Sequence, residues 1–106
     1  MKIVSMNIHG FGGPTKQKAL KELFSTLNPD IILLQETMCD HFTTLRLFSF
    51  MKPGWELCAI DALGLSGGIL SAWNPRLVRC KAYHSFVGLL LSASFLHSQL
   101  LWNLCQ

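Results

Sequence analysis

The sequence predicts an α+β fold, a sheet covered by helices, on three observations. First, Ile31-Ile32-Leu33-Leu34 is an apolar run with two β-branched residues, the pattern of a strand buried on both faces. Second, Ala19, Leu20, Leu23, Phe24 and Leu27 recur at helical spacing just before it. Third, short apolar runs punctuated by glycine and proline fill the chain after Trp55.

In chain order, Ile3 to Ile8 alternates loosely and predicts a first strand, with Asn7 at its end. It is closed by His9-Gly10-Phe11-Gly12-Gly13-Pro14, a loop rich in residues that permit unusual backbone angles. A helix is predicted from Thr15 to Leu27, with Lys16, Lys18, Lys21 and Glu22 on its solvent side. Asn28-Pro29 ends it, because proline disfavours helical geometry in the residue before it. The apolar strand follows and ends at Gln35-Glu36-Thr37.

A strand, helix, strand order of this length makes the two strands parallel, so that both C-terminal ends lie on one sheet edge. Asn7 and Glu36 are then expected to face a common crevice, where they could reach one ion if the strands are neighbours. Gln35 and Thr37 point the other way if the strand continues, and are expected to hold the backbone in place.

Cys39 to Met51, with Phe42, Leu45, Phe48 and Met51 at spacing three, reads as a weaker helix stopped by Lys52-Pro53-Gly54. Strands are predicted at Trp55 to Ile60, Ser66 to Trp73, Leu77 to Tyr83 and Phe86 to Leu96, the last two turning near His84-Ser85 in an antiparallel meander. No charged residue occurs from Ala82 to Gln106, and Phe86 to Leu104 approaches the ~20 apolar residues of a membrane-spanning helix. Polar residues including Ser92, Ser94, His97 and Asn103 interrupt it, which favours two buried strands.

At 106 residues the chain has room for one small domain or a piece of one. Only 14% of residues are charged, against about a quarter in a free-standing domain, which predicts an incomplete surface. The net charge of +3 permits a polyanionic partner without specifying nucleic acid. Cys39, Cys58, Cys80 and Cys105 have no zinc or redox spacing and are expected to be free, mostly buried thiols. With no signal-peptide pattern at Met1-Lys2-Ile3-Val4-Ser5, the expectation is an intracellular protein that is not secreted.

A carboxylate and an amide carbonyl are hard oxygen donors of the kind magnesium takes, with water and phosphate completing its shell. Asn7 and Glu36 are therefore the candidate metal ligands. Taken singly, an Asn at a strand end most often caps a turn and a Glu there is most often solvated, so it is their pairing on one edge that makes them candidates. Ser66-Gly67-Gly68 reads as a turn before a strand, or as a loop whose small residues let a phosphate or metal-bound water come close. The glycines at 10, 12 and 13 form no nucleotide-binding fingerprint, the histidines at 9, 41, 84 and 97 are too dispersed for a metal cluster, and no nucleophile elbow occurs.

Ser5-Met6-Asn7-Ile8-His9-Gly10, Asn28-Pro29-Asp30-Ile31-Ile32-Leu33-Leu34-Gln35-Glu36-Thr37 and Ser66-Gly67-Gly68-Ile69-Leu70, in this order and spacing, resemble the N-terminal half of the endonuclease/exonuclease/phosphatase superfamily. Gly12-Gly13-Pro14-Thr15-Lys16 and Ala72-Trp73-Asn74-Pro75 are similar to the endonuclease domain of plant non-LTR (LINE-type) retrotransposons. The resemblance implies a partial four-layered α/β sandwich, the N-terminal half of a deoxyribonuclease-like fold, with the whole chain 1–106 a truncated domain, a decayed retrotransposon fragment or a mis-predicted gene. It implies that Asn7 and Glu36 help bind Mg2+ or Mn2+, weakly or not at all in a fragment, with Ser66, Gly67 and Gly68 beside the site. It implies DNA as partner and a nuclear setting.

Met6 stands where the family usually has Trp. The family's active-site Tyr, its Gly-Asp-x-Asn segment and its terminal Asp-His pair do not occur, and Tyr83 lies too early to be that tyrosine. The expectation is therefore a phosphodiesterase or DNA-endonuclease fragment without activity of its own and with no catalytic residue assigned. The alternatives are a non-catalytic module that associates through unsatisfied sheet edges, and a membrane peptide built on Phe86 to Leu104.

Overall fold

A computed structural model describes residues 2–61, 67–85, 88–95 and 101–105, with side chains described up to residue 79. Strand β1 (Ile3–Asn7) alternates exposed and half-buried residues. Helix α1 (Pro14–Leu27) starts on Pro14, whose missing N–H costs nothing in the first turn. It ends at Asn28, whose left-handed backbone (φ 48°) lets its N–H donate to the Phe24 carbonyl at 2.9 Å.

Strand β2 (Ile31–Gln35) pairs parallel with β1, Ile3 opposite Ile31 and Asn7 opposite Gln35. Helix α2 (His41–Met51) is capped by Asp40, whose carboxylate accepts from the Thr43 N–H at 2.7 Å. Strands β3 (Glu56–Ile60) and β4 (Ile69–Trp73) complete a four-stranded sheet of order β1-β2-β4-β3, with β4 antiparallel to both neighbours. Strands β5 (Val78–Ser85), β6 (Gly88–Phe95) and β7 (Leu101–Cys105) form a separate antiparallel meander.

The period of two along β2 and β4 splits their side chains between two faces. Ile32, Leu34, Leu70 and Ala72 pack with Leu20 and Phe24 of α1 and Phe48 and Met51 of α2 in one buried cluster. Ile31, Leu33, Ser71 and Trp73, on the alternate positions, are buried too. The central strand is thus buried on both faces, as its unbroken apolar run predicts. Phe48 joins the layers through tilted ring contacts to Phe24 (6.3 Å) and Trp55 (6.1 Å). One pair of helices and two sheets are the parts of a partial four-layered sandwich.

Several expectations are corrected. Ala19 is exposed, so the inner stripe of α1 is Leu20 and Phe24 flanked by Leu23 and Leu27. Phe42 is 73% exposed, because α2 starts at His41 and turns Thr44, Phe48 and Met51 inward. Cys39 and Cys58 are free but only partly buried, and the side chains of Cys80 and Cys105 lie outside the described residues. In the uncharged stretch β6 and β7 take the place of the helical alternative, and no described helix is long and apolar enough to cross a membrane.

The Thr43 backbone N–H bond to Asp40 holds that carboxyl below its ordinary value. A group with a depressed folded pKa stabilises the fold above its unfolded value, and that contribution is lost as pH falls through the folded value. Asp40→Ala is expected to melt lower than wild type at pH 7, with the gap closing below the ordinary carboxylate range. Asp40→Asn should keep most of the cap at every pH, and thermal circular dichroism checks all three chains.

Candidate functional site

Because β1 and β2 are adjacent and parallel, their C-terminal ends sit together, and β4 enters the sheet at the same edge. Asn7 is the last residue of β1 and is exposed. Its side-chain Oδ1 accepts from the backbone N–H of His9 at 3.0 Å. The His9 ring turns to β2, where its Nδ1 lies 3.0 Å from Glu36 Oε2. The two predicted ligands are therefore brought to one place, with His9 linking them.

Glu36 is not the end of the strand, since β2 stops at Gln35. Glu36 adopts a left-handed backbone (φ 53°), as do Met38 (φ 57°) and His9 (φ 50°). Such angles cost L-residues roughly 1–2 kcal/mol each and persist only where surrounding bonds fix them. The bonds here are a continuation of the parallel pairing. The N–H groups of Ile8, Gly10 and Phe11 donate to the carbonyls of Gln35 (3.0 Å), Glu36 (2.6 Å) and Thr37 (3.2 Å).

On the other side, the N–H groups of Thr37 and Met38 donate to the carbonyls of Gly68 (3.3 Å) and Gly67 (2.6 Å). Gly67 and Gly68 precede β4 rather than forming part of it, while Ser66 lies outside the described residues. A Cβ on Gly67 would come within 2.9 Å of both Cα and Cγ of Glu36. The glycine thus lets one backbone pass directly beside the candidate ligand, the close approach that an isolated strand glycine signals.

Of the neighbours, Gln35 donates from Nε2 to Ser5 Oγ at 3.2 Å and so ties β2 to β1, as expected. Thr37 holds position through its backbone only, because its hydroxyl is fully buried with no hydrogen-bond partner. Two of the dispersed histidines contact carboxylates. Besides His9, His41 gives Asp61 Oδ1 both its backbone N–H (2.6 Å) and a ring contact from Nδ1 (2.7 Å), clasping α2 to the end of β3. Neither pair has a spacing that sequence alone exposes. Burial raises the thiol pKa of Cys39, reinforced by the Asp40 charge, and that of Cys58, so neither is an activated nucleophile.

The donor set discriminates among metals. The described residues hold no cluster of three or more His, Cys, Asp or Glu, which excludes from them a structural-zinc arrangement. An amide oxygen and a carboxylate on one edge fit an ion such as magnesium, which takes one or two protein oxygens and keeps its waters.

No family model and no curated protein matches the sequence. Solved structures match by fold. D. rerio TDP2 humanized by 14 mutations is similar over 97% of this chain and 45% of that chain, with TM-score 0.67 and 14% identity. AP endonuclease LMAP from Leishmania major is similar over 88% of this chain and 35% of its own, with TM-score 0.60 and 20% identity. The human Nocturnin catalytic domain with bound sulfate is similar over 97% and 48%, with TM-score 0.64 and 12% identity. The chain spans less than half the length of each. All three are endonuclease/exonuclease/phosphatase proteins, and what this chain shares with them is part of the deoxyribonuclease-like fold.

Two substitutions test the geometry. Gly67→Ala is expected to destabilise by about 1–3 kcal/mol, the usual cost of overpacking, because Glu36 backbone cannot give way. Thr37→Val removes a buried hydroxyl that has no partner while keeping its shape, and is expected to stabilise by about 1 kcal/mol. Urea unfolding midpoints measure both.

Proposed function

We propose that this chain is part of a magnesium-dependent phosphodiesterase of the endonuclease/exonuclease/phosphatase superfamily, of the DNA-endonuclease type carried by plant non-LTR retrotransposons. On this reading it acts on DNA in the nucleus, and residues 1–106 are a truncated domain that does not cleave on its own. The observation that carries the proposal is the juxtaposition of Asn7 and Glu36 at one sheet edge, with Gly67 seated against Glu36. The three solved structures support it at the level of fold, and sequence motifs supply the retrotransposon branch.

Asn7 and Glu36 would hold the ion, the amide through Oδ1 and the carboxylate through its oxygens. A divalent ion there supplies charge stabilisation for a phosphodiester in its transition state. Gly67, with no Cβ, lets its backbone lie directly against Glu36 and so fixes that segment at the rim. Activation of the attacking water falls to groups that the resemblance implies and this sequence does not contain. Without them most of the rate is lost, since the parts of such a site act as a unit.

A second reading, association through sheet edges, draws on β1, whose outer edge has no partner strand among the described residues. Sedimentation analysis separates the two, because edge pairing predicts a concentration-dependent dimer and the first reading does not require one.

Supercoiled plasmid with Mg2+ is expected to show no nicking above EDTA and Glu36→Ala controls. Mn2+ binding measured by electron paramagnetic resonance is expected to weaken at least tenfold in Glu36→Gln. Nicking above both controls would overturn the inactivity, and Mn2+ affinity indifferent to Glu36 would overturn the metal assignment.

A further inference from the structure

The sequence places Lys16 on the solvent face of α1, but the structure turns its ammonium back over the loop between β1 and α1. Lys16 Nζ donates to three consecutive backbone carbonyls, those of Ile8 (2.7 Å), His9 (3.2 Å) and Gly10 (3.1 Å). An ammonium has three donors, and all three are used here. Its stem is accommodated by Gly12, where an added Cβ would meet Lys16 Cδ at 3.1 Å and Cβ at 3.2 Å. Gly12 itself has a left-handed backbone (φ 64°).

The hydrogen bonds of this loop divide cleanly between its two sides. The N–H groups of Ile8, His9, Gly10 and Phe11 all point to the site, to Gln35 O, Asn7 Oδ1, Glu36 O and Thr37 O. The carbonyls of Ile8, His9 and Gly10 all go to Lys16. Three carbonyl dipoles converging on one point repel one another unless a cation sits there, and Ile8 and Gly10 are buried residues whose carbonyls need a partner. The ammonium is the counterpart that lets the N–H groups face Glu36.

We infer that Lys16 is a positioning residue for the candidate metal site, fixing the loop peptides so that Asn7 and Glu36 are held at bonding distance from His9. It touches neither ion nor substrate and acts through the loop backbone. The inference rests on the proposed function for its metal and on the hydrogen bonds alone for its loop. Lys rather than Arg is required, because a planar guanidinium cannot aim three donors at convergent acceptors as a rotating ammonium does.

The test uses the full chain, with nuclear magnetic resonance reading amide exchange and Mn2+ line broadening at the Asn7 side-chain amide. Lys16→Met keeps the stem and removes the charge. It is expected to speed exchange at Gly10 and Phe11 at least tenfold, to weaken Mn2+ at least fivefold, and to leave Ala72 in β4 at its wild-type rate. In Lys16→Ala, added ethylammonium is expected to restore both Gly10 protection and Mn2+ affinity, which a general loss of stability would not allow. If Lys16→Met does not fold, Lys16→Arg serves, with the same losses expected at smaller size.

Wild-type protection at Gly10 in Lys16→Met and Lys16→Arg would overturn the inference, as would loop loss with unchanged Mn2+ affinity. No Mn2+ broadening in the wild type would instead sink the metal reading, and a tenfold change at Gly10 would then still establish Lys16 as the holder of the loop.

Discussion

The parallel pairing of β1 with β2 does not stop where the strands do, and the rest of the site depends on that continuation. Three further backbone bonds carry it from Ile8 to Phe11 along Gln35 to Thr37. A strand end normally releases its backbone groups to solvent or to a turn. Here they are spent on a second loop, so that two irregular segments fix each other at the rim of a rigid sheet. Side chains at such a rim are held better than on free loops, which is what a ligand set needs.

The same continuation explains how strain is tolerated. His9, Glu36 and Met38 take left-handed angles on the two segments that this pairing joins, and each lies in or beside a bonded segment. Gly67 and Gly68 bind the strained segment from its other side, and Lys16 closes the accounts of the carbonyls that face away. Among the described residues, three of the four left-handed non-glycine positions lie at this rim, the fourth being the Asn28 helix cap, and such clustering is the pattern of a site whose geometry is over-determined by its surroundings.

Much of the fold was legible before any coordinates. The run Ile31 to Leu34 reads as a doubly buried strand, and β1, α1 and the meander followed from periodicity and from prolines at Pro14, Pro29 and Pro75. Where periodicity misled, the reason was local. Phe42 matched the spacing of its helix but falls in the first turn beside the Asp40 cap, outside the inward stripe. Ser66 to Gly68 resembled the start of a strand, yet Gly67 and Gly68 serve as a bonding platform for residues thirty positions earlier.

For the site, sequence by itself determined the residue types and their edge. Asn7 and Glu36 had to share a rim once β1 and β2 were parallel, because parallel strands joined by a helix finish on the same side. Only the tertiary structure decided that Glu36 leaves the strand in a left-handed turn, that His9 joins it to Asn7, and that Lys16 faces inward. These are outcomes of hydrogen-bond satisfaction between segments distant in sequence, and such pairings have no period for a linear pattern to reveal.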